Sequence, residues 1–407
     1  DSLMYLQVTK WFANLFFIFA LFPYVSFGTN SMDTQPHFII FGMLSIFLFV
    51  TSGRVFKRIL HFIFFISIIL LVLLFKAQDL DFMFYRAAAS YLAFFVVVSA
   101  SYIYIKRYGI PIRLMVAGNI AYIFAALIQF FYNQHYLTFL VTPNSFLDPS
   151  RGMSSLTPEP TFFAITLFFW SWIYLIIYDY RPNKLIIYLL IINLLSIILL
   201  SKSTMVIVFL LVSTLFFLLK NIKKKKIFFL IFLSIFLVFI SLFSILTLYP
   251  ESRFSRLTNI YTLIDGNVIE KLMIIINFDA SINDRISNAL FPYFGLFYNY
   301  GMPGGLDSFY DTSIYLSNKS EGYFWAGLGS NKILSFIGTF IYELGFISLF
   351  LFYYFYDFLK DHNNQNRIFE IILLFILLNS AVPIGFPFIG IMIALMYHKK
   401  NINNYVN

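Results

Sequence analysis

The chain has 407 residues, 60% of them hydrophobic, 21% aromatic and 12% charged, with a formal net charge of +9 and a mean hydropathy of +0.82. A soluble domain is about half apolar and about a quarter charged, so this composition excludes a soluble globular protein. The absence of Cys and the scatter of five His (His37, His61, His135, His362, His398) exclude disulfides, thiolate metal sites, a cysteine nucleophile and a zinc-type cluster.

In chain order, apolar blocks predict twelve membrane spans at 11–27, 38–52, 59–75, 87–105, 114–131, 160–178, 185–200, 205–219, 227–248, 333–358, 368–382 and 384–397. The fold class expected is an all-α polytopic membrane protein in three blocks. Residues 1–248 carry spans one to nine with an outer loop at 132–160, residues 249–332 form a large outer loop domain, and residues 333–407 carry spans ten to twelve. Basic residues follow one alternation. If Lys220, Lys223, Lys224, Lys225 and Lys226 are cytoplasmic, so are Lys10, Arg54, Lys57, Arg58, Lys106, Arg107, Arg113, Arg181, Lys184, Lys360, Arg367, Lys399 and Lys400, which makes 18 of the 28 Lys and Arg. Both termini are then cytoplasmic, and the positive charge reflects topology rather than nucleic-acid binding. The first block has no small-residue cleavage site. No internal repeat is evident, which counts against an inverted-repeat transporter.

The first unusual stretch is Arg151-Gly152-Met153-Ser154-Ser155-Leu156-Thr157-Pro158-Glu159-Pro160-Thr161, at the entry to span six. Thr157 reads as an N-cap with Pro158 at the first helical position, which puts Glu159 in the first turn. There it serves either the helix dipole or chemistry; a Pro-Glu-Pro turn beside Ser155, Thr157 and Arg151 favours the second. The short turn Ser201-Lys202-Ser203-Thr204 offers hydroxyls, amides and an ammonium that suit phosphate, or a capped turn whose lysine snorkels to headgroups.

The outer segment 249–332 holds eight of the 18 Gly together with many Tyr and Trp325, a composition of ordered structure. Its rings suit either sugars or an interfacial belt. Val268, Leu272, Met273, Ile275 and Ile276 predict a helix over 267–278 lying on the membrane surface. The segment also contains Arg253, Arg256 and Asn283-Asp284-Arg285-Ile286-Ser287-Asn288. With Arg151 and Lys202 these arginines put cations on the side where positive charge is otherwise avoided, which points to an anionic ligand. Glu343 lies inside span ten, as a proton-coupling group or as a bond to a neighbouring helix, the latter favoured, with Gly345 allowing close helix approach.

Residues 151–163 resemble the Ser-Leu-Thr-Pro-Glu-Pro-Thr/Ser motif of bacterial O-antigen polymerases of the Wzy type, which are related to O-antigen ligases. Span number, cytoplasmic termini, late large outer loop and outer-loop arginines are similar as well. The resemblance implies a GT-C-like fold and a metal-independent glycosyltransferase without cofactor, multi-pass in the bacterial inner membrane with its active site facing the periplasm. Its substrates would be undecaprenyl-pyrophosphate-linked oligosaccharides, its surroundings the lipid bilayer, and a chain-length regulator a further partner. It would assign Glu159, Arg151 and Arg285 to catalysis, and Lys202, Arg253, Arg256, Ser155 and Thr157 to pyrophosphate and sugar. Glu159 would take the acceptor's proton or orient Arg151. The chain departs from the pattern in places. Ligases carry a His-Asn pair where Ser330-Asn331 stands here, ahead of Glu343-Leu344-Gly345, which favours a polymerase over the ligase. Lys202 replaces an arginine that would grip phosphate with a fork of donors. Only nine residues separate Arg285 from Gly295. A flippase for the same lipid-linked sugar is the remaining alternative, although its cavity would need charges spread over many spans.

Overall fold

Apolar runs several turns long leave the backbone no water to bond in a bilayer, and helix satisfies every amide internally. The computed structural model describes residues 2–26, 34–51, 57–77, 79–141, 152–221, 266–325, 331–361 and 365–406. Among them the chain is helical, with no strand beyond an isolated bridge between Val25 and Val141. The helices are α1 (Ser2–Leu21), α2 (His37–Thr51), α3 (Lys57–Lys76), α4 (Phe82–Tyr108), α5 (Ile112–Phe131), α6 (Pro160–Ile177), α7 (Lys184–Leu195), which runs into a π segment (Ser196–Ser201), and α8 (Thr204–Asn221). Then come α9 (Val268–Phe278), α10 (Ala280–Tyr298), α11 (Phe309–Lys319), α12 (Phe336–Leu344), α13 (Ile347–Leu359), α14 (Gln365–Leu377) and α15 (Pro387–Val406).

Four of the described helices are long and apolar enough to cross a membrane, at Phe84–Tyr108, Ile112–Phe131, Pro160–Ile177 and Lys184–Ser201; Gln7–Leu21, His37–Thr51, Leu60–Lys76, Thr204–Phe216 and Ile347–Leu359 are shorter apolar helices. Phe47, Phe64, Phe124 and Tyr188 stand 61–63% exposed along helices, where only hydrocarbon would cover them. This is a membrane α-helical protein. Span nine lies outside the described residues. Span ten is corrected: it is two helices, because Gly345 ends α12 at φ 59° and ψ −144°. A Cβ at Gly345 would lie 2.5 Å from the Gly301 carbonyl oxygen, so this glycine admits the loop at 301–303 rather than a second helix. The helix expected at 267–278 is α9, closed by a capping box in which Glu270 N–H donates to Asn267 Oδ1 at 2.9 Å and Asn267 N–H to Glu270 Oε2 at 3.1 Å.

The packing divides the chain into two compact units that cut across the three sequence blocks. Residues 1–53, 96–258 and 387–407 form one, residues 54–95 and 259–386 the other. In the first, buried Trp170 packs against Phe388 and fills the space that Gly118 leaves open. A polar chain crosses this core, with Asn119 Nδ2 donating to Asn193 Oδ1 and Asn193 Nδ2 to Ser171 Oγ, each at 2.9 Å. Interhelical bonds of this kind contribute about 0.6–2 kcal/mol each in lipid. In the second unit, Phe62, Phe94, Phe95, Phe355 and Phe358 interlock α3, α4 and α13. Buried Tyr91 donates to Glu343 Oε2 at 2.7 Å, so Glu343 bonds a neighbouring helix.

Within each unit, hydrogen bonds tie loops and helix ends together. Ser26 N–H donates to Leu140 O at 2.7 Å and Met153 N–H to Leu200 O at 2.8 Å, which joins the turns after α1, α5 and the π segment. At the other helix ends, Lys399 Nζ lies 2.6 Å from Asp179 Oδ1 and 2.9 Å from Ile177 O. In the second unit Gly305 meets Lys76 at the end of α3, while His61 in the second turn of α3 bonds Tyr354 of α13.

Candidate functional site

The stretch before α6 is a buried, tightly tied turn. Thr157 N–H and Oγ1 both donate to Ser154 O, at 3.1 and 2.7 Å, and Thr157 Oγ1 also lies 2.8 Å from Glu159 O. Residues 155–158 are therefore held out of the helix, and the expected start is corrected by two residues. Glu159 is the N-cap, extended at φ −147° and ψ 154° as a residue before proline must be, and Pro160 takes the first helical position. The Glu159 side chain is half-buried and makes no capping hydrogen bond, so its carboxylate is not spent on the amides of the first turn.

Ser155 and Thr157, expected to meet substrate, are 1% and 2% exposed, and their hydroxyls donate to backbone carbonyls. Ser155 Oγ donates to Tyr122 O at 2.6 Å. The Ser155 backbone is left-handed at φ 56°, a conformation that costs a non-glycine residue about 1–2 kcal/mol. Gln129, near the end of α5, holds it from both sides: Ser155 N–H donates to Gln129 Oε1 at 2.7 Å, and Gln129 Nε2 donates to Ser155 O at 3.1 Å and to Tyr136 O at 2.9 Å. Gln134 Nε2 donates to Gly152 O at 3.3 Å. Neither glutamine stands out in the sequence; the one signal is an amide side chain in the last turn of an apolar span.

The loop sits directly on the Ser201–Thr204 turn. Gly152, at φ 96°, lies so close that a Cβ would come 2.5 Å from Ser201 O and 2.6 Å from Leu200 O. Those backbone atoms cannot yield, so Gly152→Ala is expected to unseat the loop. If the loop belongs to a transfer site, the change should remove nearly all turnover while abundance in the membrane stays near wild type, which a quantitative blot beside an assay of that transfer checks. The π segment ends at Lys202, left-handed at φ 51°, and such bulges occur frequently at functional sites. Lys202 is half-buried, and burial pushes its ammonium below the ordinary lysine value of 10.5. Loss of that proton removes the attraction for an anion. If the turn holds an anion, its affinity is therefore expected to fall as pH rises, beginning below the ordinary lysine range, and Lys202→Arg should flatten the fall; titrated binding of inorganic pyrophosphate to the wild type and to Lys202→Arg measures it.

The other candidate residues lie in the second unit, on α10. Asp279 caps this helix, its Oδ1 accepting from Ile282 N–H at 2.9 Å. Buried Asn283 ties α9 to the 323–325 loop: its Nδ2 donates to Ile276 O and Tyr323 O, and its Oδ1 accepts from Trp325 N–H. Asn288 Nδ2 donates to Asp284 Oδ1 at 2.9 Å, and Asn288 Oδ1 accepts from Leu334 N–H at 3.0 Å. Burial raises the Asp284 carboxyl above its usual value, while the charge of Arg285 and the Asn288 amide lower it. Arg285 itself is half-buried beside Asp284. The glycines here have packing duties: Gly295 and Gly304 leave room for the Tyr342 ring, where a Cβ would come within 2.7 and 2.5 Å of it.

The motif loop and the Lys202 turn thus form one assembly in the first unit, whereas Arg285 belongs to the second. Arg151, Arg253 and Arg256 lie outside the described residues. Among the described residues, no group of three or more His, Asp or Glu is arranged to hold a metal ion. Compared with known proteins, the chain matches no family model, no curated protein and no solved structure.

Proposed function

We propose that this protein is an O-antigen polymerase with a GT-C-like fold of about a dozen spans. In this reading it is a glycosyltransferase that moves the growing glycan from undecaprenyl pyrophosphate onto a new undecaprenyl-pyrophosphate-linked repeat unit at the outer face of the inner membrane. The observation that supports it most is the seating of the loop that leads to Glu159 on the turn that carries Lys202, through Met153 N–H to Leu200 O and the close approach of Gly152 to Ser201 O. In the proposed step a hydroxyl of the new unit attacks the anomeric carbon of the chain's reducing-end sugar. The bond from that carbon to the pyrophosphate oxygen breaks, undecaprenyl pyrophosphate leaves with the electron pair, and the hydroxyl proton passes to Glu159. Arg151 and Lys202 balance the charge that develops on the leaving group, and the sequence resemblance assigns Arg285, Arg253 and Arg256 to the same substrate. Ser155 and Thr157 take a supporting role, since their hydroxyls are bonded to backbone carbonyls, of Tyr122 in α5 and of Ser154 in the loop.

Arg151→Ala is expected to shorten the glycan ladder severely at normal abundance, and Arg151→Lys to restore it only partly, because an ammonium lacks the forked donors. Purified protein in vesicles, supplied with the lipid-linked repeat unit alone, tests the proposal: it should yield a ladder and release undecaprenyl pyrophosphate. Turnover only when lipid A core is added would indicate a ligase instead.

A further inference from the structure

We propose that Gln129 is a positioning residue for the Glu159 loop, acting through Ser155. The inference rests on reading that loop as part of the transfer site. Gln129 is 2% exposed, in the last turn of α5. Its one planar amide pairs with both the N–H and the C=O of Ser155, the way a strand rung would, and its second N–H reaches Tyr136 O. Only an uncharged amide supplies an acceptor and two donors in that geometry; a glutamate lacks the donors, and an asparagine is one methylene too short. Ser155 needs such a clamp because its left-handed backbone persists only where the surroundings impose it. From Ser155 the connection to Glu159 is short: the Thr157 hydroxyl bridges Ser154 O and Glu159 O. These bonds go to a loop rather than to a packed neighbouring helix, so their effect is on where the loop sits.

The chain has no Cys, so a single introduced thiol reports on the loop without background. Ser154 is 3% exposed and Ser45, buried in α2, is 2% exposed. In the full-length protein, Ser154→Cys is expected to resist N-ethylmaleimide when Gln129 is present and to react roughly tenfold faster or more in Gln129→Ala, through local opening. Ser45→Cys should stay protected in both. The same Gln129→Ala change should lower kcat roughly ten- to a hundredfold with KM nearly unchanged, as expected when a reacting group is misplaced while substrate still binds. Should Gln129→Ala also expose Ser45→Cys, Gln129→Asn replaces it, keeping the amide but shortening its reach, with the same outcomes expected. Unchanged protection at Ser154→Cys overturns the clamp. Fast labelling with wild-type turnover overturns the positioning role. If Glu159→Gln kept wild-type turnover, the transfer reading would fail, yet the labelling would still decide whether Gln129 holds the loop.

Discussion

Under the polymerase proposal, Glu159→Gln is expected to reach the membrane at wild-type abundance and to leave only the single-repeat band in place of a ladder. Two roles for this carboxylate differ by orders of magnitude in that change. A charge at a helix N-terminus that serves only the macrodipole contributes about 0.3–1 kcal/mol. The structure places Glu159 at the N-cap without a capping hydrogen bond, so even that contribution rests on charge alone. A group that accepts the acceptor's proton, or holds an arginine against the leaving group, has no substitute in a glutamine. Loss of a general base typically lowers the rate about 10²–10⁴-fold, equivalent to roughly 3–5 kcal/mol of transition-state stabilisation. Glu159→Asp should fall between, because it keeps the charge on a shorter arm. A full ladder from Glu159→Gln at normal abundance would return the residue to a structural role.

Tyr342→Ala is expected to be the most damaging single change to the second unit. The residue is 1% exposed, and its ring fills the space vacated by Gly295 and Gly304 and meets Phe309 edge-on at 5.0 Å. Its hydroxyl lies 2.8 Å from Ser308 Oγ and 2.7 Å from Thr312 Oγ1, and its carbonyl accepts from Gly304 N–H at 2.8 Å. Removing a fully buried aromatic costs about 3–5 kcal/mol, and at about 2–4 °C per kcal/mol the thermal midpoint in detergent should drop on the order of 10 °C. Tyr342→Phe keeps the ring but takes the hydroxyl partner from Thr312 Oγ1, while Ser308 Oγ keeps its bond to Gly304 O, a loss of about 1–3 kcal/mol. The order wild type, Phe, Ala in thermal midpoint is the expected result; equal midpoints for Ala and wild type would mean that the second unit is held elsewhere.

What the sequence revealed and what it hid follow from the range of the interactions. Long apolar blocks fix helix in lipid whatever their neighbours, and α4, α5, α6 and the Lys184–Ser201 helix lie where those blocks predicted. The amphipathic spacing and capping box of α9 are equally local. The start of α6 was expected at Thr157-Pro158 and lies two residues later, at Glu159-Pro160. The choice was made by Ser155, whose left-handed turn depends on an amide 26 residues earlier. The break at Gly345 was hidden for a similar reason, because a glycine in an apolar run is mute about the loop that will press on it. Glycines among tyrosines in the segment 249–332 suited sugar faces or an interfacial belt, and two of them, Gly295 and Gly304, admit the Tyr342 ring. The joining of the motif loop to the Lys202 turn rests on Met153 and Leu200, two apolar residues that bond through their backbones and carry no side-chain signal.

The polysaccharide profile of the host lacking this protein tests the central claim most directly. The polymerase reading predicts lipopolysaccharide that carries one repeat unit and no ladder, with the ladder restored by the wild-type chain. An unchanged ladder in the deletion host, or complete loss of O-antigen including the single-repeat band, would contradict it.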